Sequence, residues 1–155
     1  MTDNSIKITR QRLPHWEKNG ATYFITICTW DKLELNPAAR QIILDSFLYF
    51  HQNRYELYIL VVMPDHLHCL IKPHLKQGEE YWSLAQIMHS LKSYTAKKIP
   101  SVMNHIGTIW QPERYDRIVR NKEEFNKFWE YIYDNPVKAN LVTEANDYPF
   151  LWYLF

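Results

Sequence analysis

Two histidines separated by a single leucine, His66-Leu67-His68, sit in an apolar, β-prone run after the turn signal Pro64-Asp65. On a strand, side chains alternate between faces, so His66 and His68 point one way and Leu67 the other. Two imidazoles side by side on a sheet face can clamp one metal ion. A second set of chemical groups lies near the C-terminus. Tyr131 and Asn135 are four apart and share a face of a predicted helix, with Lys127 one turn earlier on the same stripe. A tyrosine, an amide and a lysine at a core boundary suit an active-site helix. They equally suit a plain amphipathic helix, which is the commoner case.

The elements that must position these groups can be read along the chain. Residues 22–30 (TYFITICTW) are β-branched and aromatic, which predicts a strand. Asn36-Pro37 supplies an N-cap and a proline at the first helical position, and Ile43, Phe47 and Phe50 follow at helical spacing. Residues 55–62 and 66–71 read as a hairpin. A polar loop with Gly78, Glu79 and Glu80 precedes a capping-box pattern, Ser83 and Gln86, which opens a second helix ending before Pro100. Between residues 106 and 120 a short fourth strand is expected before the Gln111-Pro112 break, followed by an irregular or extended basic segment. Asn121 and Glu124 cap a last helix with core residues Phe125, Phe128 and Ile132, and Pro136 is expected to end it at Asn135 or just before. The aromatic tail, residues 147–155, is expected to pack back on the domain.

The order β-α-β-β-α-β-α predicts an α+β fold. Its first six elements match the ferredoxin-like βαββαβ pattern with an antiparallel sheet, and an additional C-terminal helix follows. In that topology the first and third strands are central, which sets the histidine pair mid-sheet.

At 155 residues the chain is expected to form a single domain, residues 1–155. Its apolar fraction of 46% and its three glycines exclude a disordered or low-complexity chain. Net charge is only +1, but residues 83–122 carry seven cations against two anions, an excess of +5 that leaves −4 elsewhere. Lys92, Lys97, Lys98, Arg114, Arg117 and Arg120 are the candidate phosphate contacts in that segment; a solvated basic face is the bland alternative. Trp110 and Tyr115 are candidates for stacking on unpaired bases, with core packing as the alternative. Cys28 and Cys69 form no CxxC and read as small core residues of a reducing compartment. Residues 1–12 are polar, so no signal peptide is expected, and no apolar stretch reaches membrane-spanning length. A cytoplasmic protein without membrane association is expected. Asp65 reads as a turn residue.

Four segments, YFITICTW, VVMPDHLHCLI, IWQPERYDRIVRN and EYIYDNPVKANLV with its following YPF, stand in an order that resembles the single-tyrosine HUH transposases, and most closely the REP-associated tyrosine transposases. The resemblance covers most of the chain. It implies that His66 and His68 bind a divalent metal, Mg²⁺ or Mn²⁺. It further implies that Tyr131 attacks the scissile phosphate, and that Asn135 stands where related enzymes often carry a metal-binding glutamine. Lys127 is then placed to favour the phenolate. The implied activity is cleavage of single-stranded, hairpin-containing DNA through a 5′-phosphotyrosine, followed by rejoining of strands. Related insertion-sequence enzymes exchange the tyrosine helix between subunits, so a homodimer is among the expected assemblies, beside a monomer. Two other readings share these residues: a catalytically silent DNA-binding regulator, and a metal-dependent hydrolase using water, with Tyr131 structural.

Overall fold

The computed structural model describes residues 6–9, 15–78 and 80–155, with side chains from Asn19 onward; the rest of the polar N-terminal segment and Glu79 in the 78–80 loop lie outside the described residues. A two-stranded antiparallel ribbon, β1 (Ile6–Thr9) and β2 (His15–Lys18), comes first. The sequence reading did not anticipate it. The body follows as β3 (Tyr23–Cys28), α1 (Pro37–Phe50), β4 (Tyr55–Val62), β5 (His66–Pro73), α2 (Leu84–Lys98), β6 (Tyr115–Ile118), α3 (Lys122–Lys138) and β7 (Leu151–Tyr153).

The sheet order is β6-β3-β5-β4-β7, with every pairing antiparallel. Without β7 this is the ferredoxin-like arrangement, and β3 and β5 are interior as expected. β7 is the aromatic tail, which packs back as an added edge strand on β4.

Each helix begins where a short polar side chain answers a free backbone N–H. Asn36 accepts from the Ala39 N–H at 2.9 Å. Ser83 and Gln86 form the reciprocal capping box at 3.0 and 3.1 Å. Asn121 accepts from the Glu124 N–H at 2.8 Å.

Two expectations fail. The fourth strand lies after the Gln111-Pro112 break, not before it. Ile109 and Trp110 are buried, and Trp110 donates Nε1–H to Thr95 Oγ1 at 2.9 Å, so this stretch is consumed by the core and forms only an isolated bridge to Thr29. The basic segment is the strand. Nor does Pro136 end α3. A proline removes one N–H and disfavours helix before it, but here the ring is buried one turn below the fully buried Ile132, which holds the helix together. The helix runs two residues further, to Lys138, and stops in a Schellman motif. Leu141 N–H bonds the Pro136 carbonyl, Asn140 N–H bonds the Val137 carbonyl, and Asn140 takes the left-handed conformation at φ 60°.

Alternation along the central strands divides the side chains between two faces. Tyr23, Ile25, Ile27, Leu67, Cys69 and Ile71 are buried on the face that carries α1 and α2. Phe24, Thr26 and Cys28 stand directly beside Leu70, His68 and His66 on the other, which α3 covers. A bulge at Tyr58 turns that ring edge-on to Phe125 of α3, 5.1 Å between centroids. Fully burying each large apolar side chain contributes about 1.5–3 kcal/mol, so the sheet under the histidines is a stiff platform.

Candidate active site

The β4–β5 turn is fastened to the end of β3, where Thr29 N–H and its hydroxyl both bond the Asp65 carbonyl, at 2.9 and 3.0 Å. That holds the start of β5, so His66 and His68 emerge on the α3 face from fixed backbone. Their rings lie 4.8 Å apart at 73°.

Each imidazole has its Nδ1 occupied. His66 Nδ1 meets Asp65 Oδ1 at 2.7 Å. An ionised carboxylate only accepts, so Nδ1 carries a proton, and in the neutral ring the lone pair falls on Nε2. His68 Nδ1 meets Thr26 Oγ1 at 2.8 Å. A hydroxyl can accept from or donate to that nitrogen, so this bond fixes the ring's orientation, and with the hydroxyl accepting, Nε2 is the free nitrogen. This is the outer support found behind metal-binding histidines, where a second partner fixes ring orientation and tautomer. Burial, and behind it repulsion from His66, holds His68 down at about 3, so its ring is neutral and its lone pair available at ordinary pH.

Tyr131 arrives from α3. Its ring centroid is 5.3 Å from that of His68 at 69°, and 6.1 Å from Phe24. Phe24 is the keystone of this contact. It stacks on Phe128 of α3 at 4.5 Å and on His68 at 5.6 Å, tying helix to strand. Tyr131 remains 44% exposed, which leaves its hydroxyl open to a ligand. Beside it is an open, mostly apolar hollow of about 470 Å³ in which Tyr115 and Lys127 join Thr26, His68 and Tyr131. One turn beyond Asn135, Ala139 shares a second hollow with His66, Asp65 and Lys32. Tyr131, Asn135 and Ala139 recur every four residues, so α3 passes from His68 to His66 with half-exposed Asn135 on the stripe between.

Among the described residues no three His, Cys, Asp or Glu side chains gather as a metal site. The donors on offer are two imidazoles, with the Asn135 amide as the candidate third, leaving further positions for phosphate oxygens and water. A cation fits this set, and imidazole suits Mn²⁺ or Zn²⁺ better than Mg²⁺, which prefers oxygen. Cys28 stands opposite His66 with its thiol pushed above the ordinary range by burial, then by Asp65.

The six candidate cations do not form one patch. Arg117 and Arg120 lie on the α3 side and share Glu124, at 3.5 and 3.1 Å. Lys97 and Lys98 are exposed at the end of α2. Lys92 and Arg114 belong to the opposite face, and Arg114 is buried and paired with Asp116 at 3.0 Å rather than solvent-facing. Trp110 is core, whereas Tyr115 is 55% exposed beside Tyr131. Sequence reasoning missed the supporting roles of Asp65, Thr26 and Phe24. Adjacency to His66 was a usable signal for Asp65; the other two depend on strand register, which no local pattern encodes.

A family model described as "Transposase IS200 like" matches residues 31–135, more than half of the chain. The chain belongs to the IS200-like transposases. The matched span runs from the turn after β3 to Asn135, and so takes in both histidines and Tyr131. A curated relative of this transposase, the REP-associated tyrosine transposase of Escherichia coli (strain K12), is 26% identical over 136 residues, covering 84% of this chain and 75% of the relative. The solved structure of a REP-associated tyrosine transposase bound to a REP hairpin superposes with a TM-score of 0.74 at 22% identity, covering 92% of this chain and 82% of the other. The transposase therefore shares that protein's mixed α+β fold, a five-stranded antiparallel sheet with three helices. Among the described residues no helix is long and apolar enough to cross a membrane.

Proposed function

We propose that this transposase cleaves and rejoins single-stranded, hairpin-containing DNA, with Tyr131 as the nucleophile and a divalent cation held by His66, His68 and Asn135. The observation that carries the reading is the contact between the Tyr131 ring and the His68 ring at 5.3 Å, within one chain. A phosphate seated at the histidines would be within reach of the phenol. The family and the REP hairpin bound by the structural neighbour support DNA of this kind as the substrate.

Tyr131 Oη forms a bond to phosphorus as the bond to the 3′ oxygen breaks, giving a 5′-phosphotyrosine and a free 3′-hydroxyl. The phenol proton is released and the leaving oxygen takes one up, so no proton is consumed overall. The bond energy is kept in the adduct, and attack by another 3′-hydroxyl rejoins strands without ATP. A free phenol has a pKa of about 10 and is a poor nucleophile at neutral pH. Lys127, one turn before Tyr131 and in the same hollow, is the residue proposed to activate it. Asp65 and Thr26 hold the two imidazoles in orientation from behind. A cation at the imidazoles would draw charge from the phosphate oxygens and orient the phosphate. Arg117, Arg120, Lys97 and Lys98 are proposed as backbone contacts that position the DNA.

The test is a denaturing gel with labelled single-stranded hairpin DNA and Mn²⁺. A covalent adduct that disappears in Tyr131→Phe supports the reading. Binding without adduct in the unaltered protein identifies a silent DNA-binding regulator. Cleavage that survives the substitution identifies a water-using hydrolase.

A further inference from the structure

On the face of the sheet away from Tyr131, α2 and residues 107–112 enclose an open groove of about 430 Å³. Lys92 and Ser93 line one wall, Thr108 and Gln111 the other, and Arg114 reaches it from the start of β6. Strand alternation places it there. Tyr115 and Arg117 turn toward the tyrosine face, and Arg114 and Asp116 turn the opposite way.

Arg114 is only 6% exposed. Its Nε faces Asp116 at 3.0 Å, but its Nη2 is buried and, among the described residues, has no hydrogen-bond partner. Buried donors are rarely left unmet, and one that is calls for an explanation such as strain, water or a bound ion. Lys92 donates to the Gln111 carbonyl at 2.7 Å, with the Pro112 carbonyl at 3.5 Å. Burial first, and then Arg114, push this lysine below its ordinary range, with Glu113 opposing them. Two cations therefore converge on one groove, where Arg114 disfavours the charge of Lys92 and an anion would relieve it. Guanidinium and ammonium together are the usual grip on phosphate.

We propose that this groove is a second phosphate site, holding a backbone phosphate of the same single-stranded nucleic acid whose scissile linkage lies at Tyr131. The nucleic-acid identity rests on the function proposed above; the anion chemistry rests on the groove. A polymer is favoured over a free nucleotide by position. Arg114 in the groove and Tyr115 in the tyrosine hollow are consecutive residues, so a strand rounding the start of β6 meets both sites.

The experiment uses the full chain carrying Tyr131→Phe, in EDTA, so that neither adduct nor metal enters the readout. Fluorescence anisotropy measures binding of labelled oligothymidylates of about six and about twenty nucleotides across a salt series. Lys92→Gln and Ser93→Glu are each compared with Lys72→Gln, which removes one charge from β5; thermal melting verifies folding. The expected result is a roughly tenfold loss of affinity for the long oligonucleotide in both groove variants, and for Lys92→Gln a salt slope shallower by about 0.7, one phosphate's share. Inorganic phosphate should compete for the long oligonucleotide on the unaltered groove. Groove variants that bind the long oligonucleotide as Lys72→Gln does would overturn the proposal. So would thymidine monophosphate competing as effectively, per molecule, as the long oligonucleotide, which would make the groove a mononucleotide site. Because no cleavage is read, failure here is separate from failure of the adduct test.

Discussion

Lowering the pH should destabilise the metal-free protein through His68 more than through any ordinary histidine. In the fold this ring is held at about 3 by burial and then by His66, against about 6.5 in an unfolded chain. The folded value is depressed, so between these limits the unfolded state binds the extra proton. Stability attributable to His68 is complete above about pH 6.5 and is lost as pH falls toward 3. The linkage integral gives a loss of about 2 kcal/mol at pH 5 and about 3 kcal/mol at pH 4, relative to pH 8. Other histidines and the carboxylates also titrate, so the informative quantity is a difference between two proteins. His68→Asn keeps an amide near the Thr26 hydroxyl and removes the titration. Urea unfolding in EDTA of both proteins, at about pH 8, 5 and 4, should show the unaltered protein losing its advantage by those amounts. Parallel curves, with a gap constant within about 0.5 kcal/mol, would show that the ring is solvated or protonated in the fold, and the reasoning about a neutral ligand would fail.

Thr26→Val removes the partner of His68 Nδ1 and should weaken Mn²⁺ binding by about tenfold, measured by calorimetry, with melting temperature little changed. Asn140→Ala places a Cβ-bearing residue without a polar side chain at φ 60°, and should cost about 1–2 kcal/mol in urea unfolding. Phe24→Ala empties the ring position between His68 and Phe128 and should cost about 3–5 kcal/mol, while detaching Tyr131 from the sheet; near-ultraviolet circular dichroism would report the lost aromatic packing.

What could be read from the chain, and what could not, divides by range. His66 and His68 were legible because a strand's period of two is local. Asn36, Ser83 and Asn121 were legible as caps for the same reason, since the hydrogen bonds they make span three residues. Tyr131 and Asn135 were legible as a shared stripe, but their approach to the histidines followed only from the family resemblance. Pro136 misled because the local rule against helix before proline lost to burial of its own ring. Residues 109–110 misled because an apolar pair reads alike as strand or as core filler, and the buried bond from Trp110 to Thr95 decides for the core. Arg114 was counted among the surface cations; only the register of β6 against β3 reveals that it is buried.

That register has a parity. β6 has four residues, bracketed by the bonds of Gln111 N–H to the Cys28 carbonyl and Val119 N–H to the Thr22 carbonyl. Sliding it by one position would exchange the occupants of the two sides, sending Tyr115 and Arg117 under α2 and bringing Arg114 and Asp116 out beside the nucleophile. The exposed stretch before Ile109 can grow or shrink, but the count from Ile109 to Tyr115 cannot. An insertion or deletion of one residue there would invert which groups confront the phosphate while leaving composition, charge and every helix intact.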